Sequence, residues 1–161
     1  MGPEHPSTLT TMSALDTNLL HQKRYAEAET LQRQTLGIQA RVLGPEHKST
    51  LMTRGLLAVS LVQQGHYAEA DKMLQDTIDA QRRVFGPDDP NTAASVYNLA
   101  IVKAHEGDRV EAFRLLRESV THGLSPSDRM GLEKDPDLQS LHGDPRFDVL
   151  VADVRTRGSG R

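Results

Sequence analysis

Gly44-Pro45-Glu46-His47 decides how this chain is read. The phrase also stands at Gly2-Pro3-Glu4-His5 and, varied, at Gly86-Pro87-Asp88-Asp89, 42 residues apart each time. A second phrase keeps the same period: Tyr25-Ala26-Glu27-Ala28, Tyr67-Ala68-Glu69-Ala70 and, more weakly, Arg109-Val110-Glu111-Ala112. Two independent markers in one register identify an internal repeat. Apolar positions keep the register too: Leu15, Leu57 and Leu99; Leu31, Met73 and Leu115; Leu36, Ile78 and Val120; and the paired ends Val42-Leu43 and Val84-Phe85. At each of these positions the copies exchange only similar side chains.

Between the markers, apolar and small residues recur at helical spacings, as in Leu15 and Leu19, then Ala28, Leu31 and Leu36. The Gly-Pro phrase breaks a helix, and Asp89-Pro90 reads as an N-cap followed by proline at the first helical position, where a missing N–H costs nothing. A tighter break falls at Gln22-Lys23-Arg24, Gln64-Gly65-His66 and Glu106-Gly107-Asp108, and in the last two glycine suits a left-handed cap. Each repeat is therefore helix, turn, helix. Helices are predicted at roughly 7–22, 25–43, 49–64, 67–85, 91–106 and 109–121. Ala28, Ala70 and Ala112 fall where the two helices of a hairpin approach closely. Leu15, Leu57 and Leu99 are expected to be buried, at about 1.5–3 kcal/mol each.

After Val120 the register dissolves, and Ser125-Pro126-Ser127-Asp128 is only a faint echo of the loop phrase. Asp135-Pro136 and Asp144-Pro145 read as two helix starts. Phe147, Leu150, Val151 and Val154 form a helical stripe able to lie on the third repeat as the lid a repeat array needs. The expected organisation is one domain: tandem repeats over 1–122 (about 2–43, 44–85 and 86–122), a helical cap over 123–155 and a frayed tail over 156–161. Met1 stands where Leu43 and Phe85 close the preceding helix in the other copies. That register predicts the C-terminal part of a larger intracellular protein, whose first hairpin exposes an apolar flank at Leu15 and Leu19.

Composition narrows the function. Aromatics are 4% of 161 residues and there is no Trp, which suits helices packed through Leu and Ala better than a core of large rings. A formal net charge of -3 lacks the basic excess that a nucleic-acid backbone requires, so a helical-repeat RNA binder is disfavoured. Without cysteine there is no disulfide framework or thiolate metal site. No run is long and apolar enough for a membrane helix, and the start lacks a signal-peptide pattern, so the cytoplasm is the expected compartment.

The phrase Leu43-Gly44-Pro45-Glu46-His47 leading to Thr50-Leu51, together with Asn98-Leu99-Ala100 and Tyr67-Ala68-Glu69-Ala70 with Ile78, resembles the tetratricopeptide repeats of kinesin light chains. The resemblance spans roughly residues 2–121, and similar arrays occur in bacterial multidomain signalling proteins. It implies an all-α fold, a right-handed α-solenoid of three tetratricopeptide hairpins with a C-terminal helical cap. It also implies a non-catalytic scaffold whose first helices line a concave groove for a protein or peptide. The groove positions it implies are Thr10, Ser13, Thr17 and His21, then Met52, Gly55, Val59 and Gln63, then Ala94, Tyr97, Ile101 and His105, with Asn98 beside them. Ala14 and Leu56 stand where the family often has the asparagine seen at Asn98. The Lys, Arg and Asn of a carboxylate clamp are nearly absent from this surface, so an uncharged ligand segment fits better than an acidic C-terminus. Met52, Val59 and Ile101 equally suit packing between repeats.

No cofactor is expected. Seven histidines lack any HExxH-type spacing, and His21 and His105 sit two repeats apart. Glu27, Glu69 and Glu111 repeat with the fold instead of converging on a catalytic pocket. The alternative to a scaffold is a self-assembling element that oligomerises through its first repeat.

Overall fold

The computed structural model describes residues 6–158, with side chains for residues 11–156. Six helices form three hairpins: α1 (Pro6–His21) with α2 (Tyr25–Val42), α3 (Lys48–Gln63) with α4 (Tyr67–Val84), and α5 (Pro90–Glu106) with α6 (Arg109–Thr121). Each end falls within one residue of the sequence prediction. No strand is present among the described residues.

Local chemistry sets these ends. The His47 ring accepts a hydrogen bond from the Ser49 N–H at 3.2 Å and caps α3. Asp89 caps α5 by accepting from the Asn91 N–H at 2.8 Å, with Pro90 opening the helix. One helical turn in, Thr50 donates to the Gly44 carbonyl at 2.8 Å and Thr92 to the Gly86 carbonyl at 3.0 Å. The Gly-Pro phrase and the threonine six residues later are thus one closed structure, which explains why they recur together. In the tighter break, Gly65 and Gly107 take left-handed φ values of 78° and 84°, and Lys23 takes 58° at the corresponding place. The first repeat therefore places a β-carbon where glycine would be unstrained.

The chain divides into two compact units, Met1–Val84 and Phe85–Arg161, where the sequence suggested one domain. A repeat array makes contacts only between neighbours, so no single long-range core binds its ends together. In the first unit, α1 packs on α2, α2 on α3 and α3 on α4. Ala28 and Ala70 are fully buried, as is Ala112 in the second unit. Leu57 is 1% exposed on α3, a helix with packing partners on two sides. Leu15 departs from the burial expected of its repeat position but agrees with the expected exposed flank: it is 51% exposed, on a helix whose main packing partner is α2 alone, while Leu19, expected on the same flank, is buried. Across the two hairpins of this unit, Arg33 pairs with Glu69 at 2.7 Å and the Gln64 amide donates to Glu29 at 2.7 Å, while Arg33 and Glu29 pair along α2 at 2.9 Å. These pairs are half exposed and contribute at most about 1 kcal/mol each.

In the second unit the chain continues past α6 into α7 (Pro126–Gly131), a 3₁₀ turn at Leu132–Lys134, a longer 3₁₀ turn at Pro136–Leu141, and α8 (Pro145–Gly158). The faint echo at Ser125-Pro126 is a helix start: the Ser125 hydroxyl oxygen accepts from the Asp128 N–H at 3.1 Å. Of the two Asp-Pro pairs, the first opens the 3₁₀ turn and the second opens α8. Phe147, Leu150 and Val154 are buried and Val151 is half-buried, with α8 packed on α6 and α7. The helix runs through Gly158, so residues 156–158 are helical where a frayed tail was expected, and 159–161 lie outside the described residues. Gly123 admits no side chain, because a β-carbon there would stand 2.5 Å from the Asp88 carbonyl oxygen. His122 joins the same loop through Nδ1, 2.8 Å from the Asp88 carboxylate.

Leu57→Ala should lower stability by about 2–5 kcal/mol by opening a cavity in the first unit. Chemical denaturation measures this, and an unchanged midpoint would contradict the packing register.

Candidate functional site

The first helix of each hairpin supplies the candidate binding positions. On α1, Ser13, Thr17 and His21 follow one another at i, i+4 and i+8, which places them on one face, and all three are exposed. The Thr17 hydroxyl donates to the Ser13 carbonyl at 3.0 Å, so its donor is already engaged while its oxygen can still accept. On α3, Met52 and Gln63 are exposed, whereas Val59 and Gly55 are half-buried. Among the described side chains of α1 and α3 these positions bear no formal charge, with His21 counted neutral. The side chain of Thr10 lies outside the described residues.

On α5 the corresponding positions are in different surroundings. The 3₁₀ turn Pro136–Leu141 packs on this helix, with Leu138 and Leu141 fully buried. The Tyr97 hydroxyl donates to the Asp135 carboxylate. Ile101 is 3% exposed. His105 Nε2 lies 3.7 Å from Asp137 Oδ1. At the other end of the same segment, Arg109 donates to the Ser140 carbonyl at 3.0 Å and to Asp144 at 3.3 Å. The chain's own segment 135–141 therefore engages α5 at two of the candidate positions, Tyr97 and His105, while Ile101 between them is buried. Asn98 and Ala94 are half-buried on the same helix.

Electrostatics follow from this packing. Burial, reinforced by the hydrogen bond to Asp135, pushes the Tyr97 phenol well above its ordinary range, so it stays a donor. Asp135 uses both oxygens: Oδ1 accepts from the Asp137 N–H at 2.9 Å to start the 3₁₀ turn, and Oδ2 takes the Tyr97 proton donor. Asp144 is held well below the usual carboxylate range by the Arg146 guanidinium and backbone N–H, with Arg109 adding to them. Arg146 in turn lies over the Phe113 ring, 4.4 Å from its centre. The sequence pointed to Asp135 and Asp144 only as helix starts. Their second contacts join residues 38 and 35 positions apart, Tyr97 and Arg109, and local spacing carries no sign of such pairs.

Among the described residues, no group of three His, Cys, Asp or Glu side chains is placed to hold a metal ion. No helix among them is long and apolar enough to cross a membrane.

Hairpins repeated in this register, closed by small residues and finished by a helical cap, define the class of α-helical tandem-repeat proteins. The tetratricopeptide repeat model matches residues 17–83 and 67–122, and the chain belongs to that family. Among solved structures, the tetratricopeptide-like repeats of a Podosopora anserina putative kinesin light chain superpose with a TM-score of 0.71 at 25% identity, covering 97% of this chain and 77% of that one. A glutamine-to-methionine variant of the same repeats gives 0.74 at the same identity and coverage. BtubC (BKLC) from P. vanneervenii shares the fold with a TM-score of 0.75 at 14% identity, over 96% of this chain and 65% of that one. No curated protein matches the sequence.

Tyr97→Phe removes a charge-assisted hydrogen bond from a half-buried carboxylate and should cost about 1.5–3 kcal/mol. Urea denaturation of the variant measures the loss. Stability equal to that of the parent would mean that the cap does not depend on this contact.

Proposed function

We propose that this chain is a cytoplasmic, non-catalytic binding module that takes an uncharged segment of another protein on the first-helix faces of its first two hairpins. One observation carries the reading: in a tetratricopeptide chain, Ser13, Thr17, His21, Met52 and Gln63 stand exposed on α1 and α3, on helices whose opposite sides are committed to packing. The hydroxyl, imidazole, thioether and amide groups at these positions can hydrogen-bond a peptide backbone and hold an apolar side chain without needing a charge on the ligand. Because 135–141 already engages Tyr97 and His105, and Ile101 is buried, the proposal places the contacts on α1 and α3, with Val59 as a secondary contributor. Selection from a displayed peptide library against the full chain tests this. His21→Ala combined with Met52→Ala should weaken the selected peptides at least about tenfold. Undiminished binding by that variant would remove α1 and α3 from the site.

A second reading rests on the exposed Leu15. It lines a cleft with Leu19 and Leu31, rimmed by Arg24, Glu27, Thr30 and Gln34. An apolar cleft rimmed by both charges can be self-complementary about a two-fold axis, and the alternative function is self-association through this hairpin. Light scattering over a range of concentrations should then show growth that Leu15→Glu abolishes. A strict monomer throughout would overturn it.

A further inference from the structure

The first hairpin closes on a polar pair where the others close on apolar residues. Asp16 of α1 and Gln32 of α2 are 4% and 1% exposed, and the Gln32 amide donates to Asp16 Oδ1 at 2.8 Å. One repeat on, the same two positions hold Ala58 and Leu74, and two repeats on they hold Ala100 and Leu116, all fully buried. The substitution is one-sided in its hydrogen bonding. The Gln32 amide oxygen is buried with no donor facing it. An ionised carboxylate has no proton to offer that oxygen, but a carboxylic acid does. Protonation would let the two groups bond reciprocally, amide N–H to carboxyl oxygen and carboxyl O–H to amide oxygen. Burial pushes the Asp16 carboxyl up, and the Gln32 hydrogen bond offsets part of that rise, as expected for a buried acid that gains from its neutral form.

We propose that the Asp16–Gln32 pair is a protonation-controlled clasp that seats α1 on α2 when Asp16 carries a proton and loosens α1 when it does not. The charged groups nearby are otherwise engaged. Of the charged residues of α2 and its N-cap, Glu29 and Arg33, which flank Gln32 in sequence, pair with each other at 2.9 Å, and Arg24 pairs with Glu27 at 2.6 Å. On α1 itself, His21 is exposed at the C-terminal end. Glu27 is held low, mainly by its hydrogen bond to Arg24. Glu29 is held low by hydrogen bonds from Arg33 and Gln64 that outweigh its burial. Both therefore contribute stability that is lost as pH falls, the opposite sign to Asp16. For Asp16 the folded value lies above the ordinary 3.8. Its contribution is therefore fully present below that value and is lost as pH rises through the raised folded value. Loosening α1 uncovers the inner face of α2, where Ala28, Gln32 and Thr35 are buried.

Hydrogen exchange of the full chain, expressed as protection factors between about pH 4 and about pH 8, tests the clasp. Protection of α1 amides in the parent should fall roughly ten- to hundredfold over that range, the cost of one orphaned buried acceptor, while α3 and α4 change less. Asp16→Asn supplies the missing N–H to Gln32 and should hold α1 protection level across the range. Asp16→Ala with Gln32→Leu, which copies the second and third repeats, should do the same and serves if the single variant folds poorly. The clasp is overturned if α1 protection in the parent and in either variant changes with pH in parallel, or if α1 is no better protected in the variants at the upper end.

Discussion

The close approach of two helices at a small residue is the contact on which everything else here depends. Ala28, Ala70 and Ala112 are each fully buried, and a larger side chain at any of them would hold the backbones of a hairpin apart. Once the backbones meet there, the leucines around them can interlock, and each hairpin presents a flank that another can cover. In the first unit that covering surface is α2 against α3. Thr50 and Thr92 lock the Gly-Pro loops by bonding the Gly44 and Gly86 carbonyls.

The cap in the second unit meets the same need by different means. Its buried leucines, Leu132, Leu138 and Leu141, come from short 3₁₀ turns, which present fewer side chains per face than a long helix. Polar contacts make up the difference: Asp135 holds Tyr97 and Arg109 holds the Ser140 carbonyl. The chain thereby covers with its own residues a part of α5 that the repeat register alone leaves open.

The first hairpin differs in two further ways from its copies. It carries Lys23 where the others have a left-handed glycine, and Asp16 with Gln32 where the others bury Ala with Leu. Both departures cost stability locally, through backbone strain and through a buried carboxyl with one amide partner. A repeat that mutates away from its siblings at two structural positions while keeping their register is the place where the fold can move at least cost.

Helix positions, hairpin pairing, the turns and the family were legible in the sequence, because each depends on interactions within one 42-residue period, and three in-register copies make such interactions visible. The stripe Phe147, Leu150 and Val154 was legible for the same reason, being a helical spacing. The helix at Pro126–Gly131 was not, since six residues are too short to show a period. Nor were the burial of Ile101, the burial of Leu19 or the grip of Asp135 on Tyr97. Those depend on which distant segment lies over a given face, and a position equivalent in the repeat can be covered in one copy and open in another. Spacing along the chain determines what a helix can present; only the packed structure decides what is set against it.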